Sequence, residues 1–128
     1  MKSDAFRRAA ESKDFSAVDQ LFAEDAVFRS PVVFKPYQGR EALALLLGAV
    51  VQVFEDFRYV EHVETGDTAV LMFEARVGDR EVQGVDILRF GDGEQIREMT
   101  VMVRPMSGMH ALAEAMRAKL EAAGVPAS

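Results

Sequence analysis

Few side chains in this sequence have both the type and the setting to do chemistry, and Asp86 comes first. It sits in Val85-Asp86-Ile87-Leu88-Arg89-Phe90, an otherwise mostly apolar extended stretch in which aspartate is a depleted residue. If it faces an apolar cavity, lost hydration favours its neutral form and brings its titration into a range useful for moving protons. The same carboxylate could instead pair with Arg76 or Arg104, or face a partner subunit. Tyr37 follows Pro36 in a loop, where its phenol either reaches into a cavity mouth or packs the loop and bonds backbone. His62 stands near Glu61 and Glu64, and imidazole is a base near neutral pH. Simple alternation, however, puts Arg58, Val60, His62 and Glu64 on one partly solvated strand face. Glu74 and Glu98 share sides with Met72 and Met102 respectively. They either line a pocket beside Asp86 or pair with Arg76, Arg89 or Arg97 across a sheet. Five of the seven methionines fall between Met99 and Met116, which suits a pliable apolar pocket wall or gap-filling between layers.

Other chemistries lack their residues. There is no cysteine, so disulfides, thiolate metal sites and thiol nucleophiles are excluded. The two histidines, His62 and His110, lie far apart, and His110 reads as a surface or capping residue, so no metal is expected. No GxxxxGK[ST], GxGxxG or GxSxG string occurs, and no cofactor is expected. Fifteen basic against twenty-one acidic residues give a net charge of -6, the wrong sign for binding nucleic acid or an anionic membrane. The longest apolar run, Ala42 to Val51, is about half of the roughly 20 residues a membrane helix needs. Met1-Lys2-Ser3-Asp4 lacks the apolar core of a leader, and a cytoplasmic protein is expected.

The elements that must position these residues follow from periodicity. At 128 residues, 49% of them hydrophobic, the chain suits one domain over 1–128. Ser3-Asp4 can cap a first helix carrying Phe6, Ala9 and Ala10. Phe15, Val18, Leu21 and Phe22 predict a second short helix ending near Asp25, followed by a short strand at Ala26-Val27-Phe28. Pro31 and Pro36 prevent a long strand between Ser30 and Gln38. Leu43, Leu46, Leu47, Val50, Val51 and Phe54 form a wide apolar stripe on a third helix. Four runs then read as strands: 57–64, 68–77, 81–90 and 95–103. The turns Thr65-Gly66-Asp67, Gly78-Asp79-Arg80 and Gly91-Asp92-Gly93 join them into an antiparallel meander. Arg104-Pro105 stops the last strand. A final helix, capped by Ser107, carries Met109, Leu112, Ala113, Met116 and Leu120 and ends at Gly124 and Pro126. Helices and strands are segregated, so the class is α+β, with a pocket expected between a curved sheet and its helices.

This order and several strings resemble the nuclear transport factor 2-like superfamily, in particular its SnoaL-like branch. The strings are Leu21-Phe22-Ala23-Glu24-Asp25-Ala26-Val27-Phe28, Ser30-Pro31, Tyr37-Gln38-Gly39-Arg40-Glu41-Ala42, and Val85 to Phe90 followed by Gly93 to Glu98. Val101-Met102-Val103-Arg104-Pro105 is similar to a group of small bacterial proteins of this superfamily. The resemblance implies a cone-shaped, curved antiparallel sheet of about five to six strands on three to four helices. It also implies a homodimer through the sheet's outer face. Members include enzymes, transport adaptors and association domains, so fold alone assigns no activity.

Residue by residue, the resemblance is selective. The helix-one tyrosine of ketosteroid isomerases falls on Phe6, and their general-base aspartate falls on Ser30. A phenyl ring cannot donate a hydrogen bond, and a serine without an adjacent base is a poor acceptor of a carbon-bound proton. Only their strand aspartate is matched, by Asp86. Limonene-type epoxide hydrolases place an arginine where Gly84 stands. In SnoaL-like polyketide cyclases one cavity acid matches Asp86, while the position of a common helper histidine holds Met72, with Glu74 nearby. The main expectation is therefore a protein that binds a small apolar molecule, with Phe28, Tyr37, Met72, Glu74 and Met102 as ligand contacts. The alternatives are a metal-free cyclase, isomerase or epoxide hydrolase using Asp86 as acid or base, and an association or adaptor module.

Overall fold

The computed structural model describes residues 1–124; Pro126, expected to help end the last helix, lies outside them. In chain order the elements are α1 (Asp4–Ser12), α2 (Val18–Leu21), β1 (Phe22–Arg29), β2 (Tyr37–Gln38), α3 (Arg40–Val53), β3 (Glu55–Thr65), β4 (Thr68–Val77), β5 (Arg80–Phe90), β6 (Ile96–Arg104) and α4 (Met106–Ala122). A 3-10 turn, Asp92–Glu94, joins β5 to β6. The six strands form one curved, unclosed sheet in the order β2-β1-β6-β5-β4-β3. The α+β class and the three-turn meander stand as the periodicity predicts, with strand ends within two residues.

Three features differ from the sequence reading. Helix α4 begins at Met106 with Pro105 at its cap position, so Ser107 lies inside the helix and does not cap it. Residues 22–25 are strand, because Phe22 pairs with Ile96 and its ring is fully buried. Its helix-like spacing from Phe15, Val18 and Leu21 is overridden by this distant partner. The β1–β6 pair is also parallel, although the other four pairings are antiparallel. Such pairing requires a long crossover, here the whole chain between residues 29 and 96, and local patterning cannot show it.

The core lies between one face of the sheet and the helices. Alternation puts Ala69, Leu71, Phe73, Ala75 and Val77 of β4 on this inner face, with Val82, Leu88 and Phe90 of β5 and Met99 of β6, all buried. Helix α3 covers it with Leu43, Leu46 and Leu47, and α4 with Leu112 and Leu120. Phe6 of α1 packs between Phe15 and Phe22, with ring centroids 5.6 and 6.2 Å away. Strand β3 breaks its own alternation. Tyr59 opposes Phe73 but Glu61 opposes Met72, so Val60 is an extra residue, a β-bulge. Just before the bulge Phe57 and Tyr59 face inward. After it, His62 and Glu64 do, opposite Leu71 and Ala69.

Candidate functional site

Asp86 lies on the inner face of β5, between Leu71 of β4 and Val101 of β6. It is 5% exposed, one of two polar residues among the buried set. Neither arginine weighed as its partner reaches it: Arg76 bonds Asp56 and the Gly78 carbonyl, and Arg104 bonds Gln83. Its hydrogen-bond partner is Tyr59, whose phenol donates to Asp86 Oδ2 at 2.6 Å. Burial without a cation penalises the carboxylate, and the Tyr59 hydrogen bond offsets only part of this. The Asp86 pKa is pushed up to about 7. Tyr59 moves the same way: burial, then the neighbouring Asp86 charge, raise its phenol well above the ordinary range. Near neutral pH the pair therefore holds either two protons or one, poised to give or take the second.

Sequence reasoning missed Tyr59. One of only two tyrosines in the chain, it lies in a strand, and a buried phenol there requires a hydrogen-bond partner. Its reach depends on Gly84. A Cβ at Gly84 would collide with the Phe73 ring, so the absent side chain is what lets that ring lie against β5. Phe73 in turn stacks on Phe57 and meets the edge of Tyr59. The position that carries an arginine in the epoxide hydrolases is thus an aromatic packing site here.

The five expected ligand contacts separate into two places. Phe28 and Tyr37, with ring centroids 6.3 Å apart, line a cleft of about 60 Å³ with Leu46, Leu112, Met116 and Leu120. Met72, Glu74 and Met102 project from the opposite face of the sheet from Asp86. Parity is the reason: Met72 opposes Val85, and Val85 opposes Met102, one residue off the Asp86 row. Met72 and Met102 border an open depression of about 220 Å³. Glu74 accepts from Arg58 and Gln83, both at 2.9 Å, and Glu98 accepts from Arg29 at 2.9 Å. Asp86 lines neither of these two clefts.

His62 is not on the solvated face that simple alternation assigns it. The bulge turns it inward, onto the row of Leu71 and Asp86, where it meets Ser3 and Arg7. Ser3 begins α1 without capping it; its hydroxyl donates to Glu64 Oε1 at 2.6 Å. Ser30, at the place of the isomerase base, accepts the Val32 N–H at 3.0 Å in a local turn. Among the described residues no three His, Asp or Glu side chains are grouped to hold a metal.

A profile of the SnoaL-like domain matches residues 4–99. The chain belongs to this family, within the nuclear transport factor 2-like superfamily. Among solved structures, a steroid delta-isomerase from Pseudomonas aeruginosa is 41% identical, with a TM-score of 0.91 over 95% of this chain and 90% of that one. A bacterial protein with a cystatin-like fold from Silicibacter pomeroyi is 32% identical, with a TM-score of 0.90 over 94% and 85%. A SnoaL-like polyketide cyclase homologue from Shewanella denitrificans, described as putative, shares the fold at 15% identity, with a TM-score of 0.66 over 89% and 95%. No curated protein matches.

Proposed function

We propose that this SnoaL-like protein binds a small, largely apolar molecule through a carbonyl or hydroxyl oxygen presented to the Asp86–Tyr59 pair. One observation carries the reading: a carboxyl buried on an apolar sheet face, with no cation and one phenol as its hydrogen-bond partner. Burying such a group opposes folding, and groups of this kind concentrate at sites that use them. A protonated Asp86 donates to a ligand oxygen, and Tyr59 can turn its own proton to the same atom. The Phe28–Tyr37 cleft is the way in. Its volume is below the roughly 300 Å³ of an ordinary small-molecule site, so binding requires α4 or the 30–36 loop to yield.

A second reading is proton transfer on the bound molecule, favoured by the 41% identity to a steroid delta-isomerase. A carboxyl titrating at about 7 can serve as acid below that pH and as base above it. Phe6 and Ser30 supply neither the phenol nor the second carboxylate that ketosteroid isomerases use, so Asp86 and Tyr59 would do all the proton handling. A Δ4-3-ketosteroid and its deoxy analogue, which lacks the ketone oxygen, test both readings. The ketone should raise the melting temperature of the wild type. In Asp86→Asn, whose amide N–H can still donate to the ketone oxygen while its carbonyl accepts from Tyr59, it should still do so. Equal effects of ketone and analogue, or none from either, would overturn oxygen recognition. Conversion of the Δ5 isomer, lost in Asp86→Asn, would establish the second reading.

The same proposal sets a second copy of the chain on the sheet's outer face. There Val63, Val70, Met72 and Met102 are exposed between polar ladders, Arg58–Glu74–Gln83–Arg104 on one side and Thr68–Arg89 and Glu98–Arg29 on the other. Sedimentation of the wild type as a dimer, and of Met102→Lys as a monomer, is the expected result; a monomeric wild type would contradict it. Among the described residues no helix is long and apolar enough to cross a membrane, and the proposed setting is the cytoplasm.

A further inference from the structure

The seam between α1 and β3 carries a polar chain that the proposed ligand reading does not use. Ser3 Oγ lies 2.6 Å from both Glu64 Oε1 and His62 Nε2. The other ring nitrogen, His62 Nδ1, lies 3.2 Å from Arg7 Nη1. Arg7 Nε is held by Glu11 at 3.3 Å, and the Arg7 guanidinium carbon sits 5.6 Å from the centroid of the Tyr59 ring. Tyr59 then donates to Asp86.

Proton counting leaves one arrangement. The hydroxyl of Ser3 has one hydrogen, and the Glu64 carboxylate, which also accepts the Lys2 and Ser3 backbone N–H groups, takes it. His62 Nε2 must therefore donate to Ser3 Oγ. Nδ1 must then be bare, because Arg7 has only donors to offer. We infer that Arg7 and His62 form a positioning latch for Tyr59, closed only while His62 is neutral with its proton on Nε2. A second proton, on Nδ1, would set donor against donor and cation against cation, and Arg7 would leave the Tyr59 ring. The charged and polar groups facing His62 are Arg7 and Asp4 on α1, Ser3 just before it, and Glu64 on β3. The facing residue on β4 is Leu71. Neither Asp4 nor Glu64 bonds the imidazole directly, so neither offers an acceptor to Nδ1–H.

As regulation of ligand binding, the latch rests on the reading of Asp86–Tyr59 as the ligand contact; its existence does not. It is tested on the full chain without ligand. Long-range proton–nitrogen spectra of labelled wild type and Asp86→Asn, the latter free of the carboxyl's own titration, report the His62 tautomer and the Arg7 Nε–H. At neutral pH Nε2 should be protonated and Nδ1 bare, with the Arg7 signal displaced upfield by the Tyr59 ring. On acidification that displacement should vanish in step with His62 protonation. In His62→Gln, whose amide oxygen can still accept from Arg7, it should persist through the same range. A proton on Nδ1 at neutral pH, an Arg7 signal indifferent to His62 protonation, or an unchanged step in His62→Gln would each overturn the latch. All three outcomes leave the steroid-binding test unaffected.

Discussion

Two carboxylates on neighbouring strands of this sheet, Asp86 and Glu74, have opposite surroundings. Glu74 projects from the outer face, part-exposed, with Arg58 and Gln83 as donors. Asp86 projects from the inner face, buried, with a phenol and no cation. Glu74 has water and a guanidinium beside it; Asp86 has neither, and this makes it an acid that titrates near neutrality. The lesson is that the side of a strand, set by a parity of two, decides whether a carboxylate is decoration or a reagent.

The contrast can be broken or sharpened by substitution, from the packing that hides Asp86 to the pairs that expose Glu74. Phe73→Ala should have the largest effect. It removes a buried ring that touches Phe54, Phe57 and Tyr59, and denaturant unfolding should show a loss of about 3–5 kcal/mol. Asp86→Asn should act in the other direction and only above acid pH. A carboxyl whose folded pKa is raised to about 7 makes the folded state bind more protons than the unfolded one between roughly pH 4 and 7. Wild-type stability should therefore fall across that window and level off above it. Asparagine should remove the slope, leaving the variant more stable at pH 8 by on the order of a few kcal/mol and little changed at pH 4. Equal slopes in the two proteins would refute the assignment.

Tyr59→Phe should cost about 1.5–3 kcal/mol, measured at pH 8, where the lost hydrogen bond is to a charged carboxylate. Because that bond holds the Asp86 pKa down, its removal should move the carboxyl's titration further up. Glu74→Gln should change stability by less than about 1 kcal/mol, as an exposed ion pair would. A loss as large as that of Phe73→Ala would show that the outer face carries more of the fold than its exposure suggests.

Much of this architecture was legible before any coordinates. The apolar stripe of α3, from Leu43 to Phe54, and the glycine-bearing turns at 66, 78, 91 and 93 announce helix and meander through local spacing alone. Asp86 stood out because an acid amid Val85, Ile87 and Leu88 contradicts its surroundings. What escaped was non-local. The β1–β6 parallel pairing joins residues about 70 positions apart, and Phe22 reads as helix until Ile96 is beside it. The Val60 bulge inserts one residue, reverses every later side chain of β3, and so hides the inward turn of His62. Met72, Glu74 and Met102 were drawn toward Asp86 because strand parity alone does not say which face is concave.

The central claim is that Asp86 is a buried, uncharged acid for much of the range below neutrality. Its side-chain carboxyl carbon, followed by NMR from pH 3 to pH 9 in wild type with Asp86→Asn to assign the signal, tests this most directly. The structure calls for a midpoint at about 7. A midpoint near 4, the value of an aspartate in water, would contradict it.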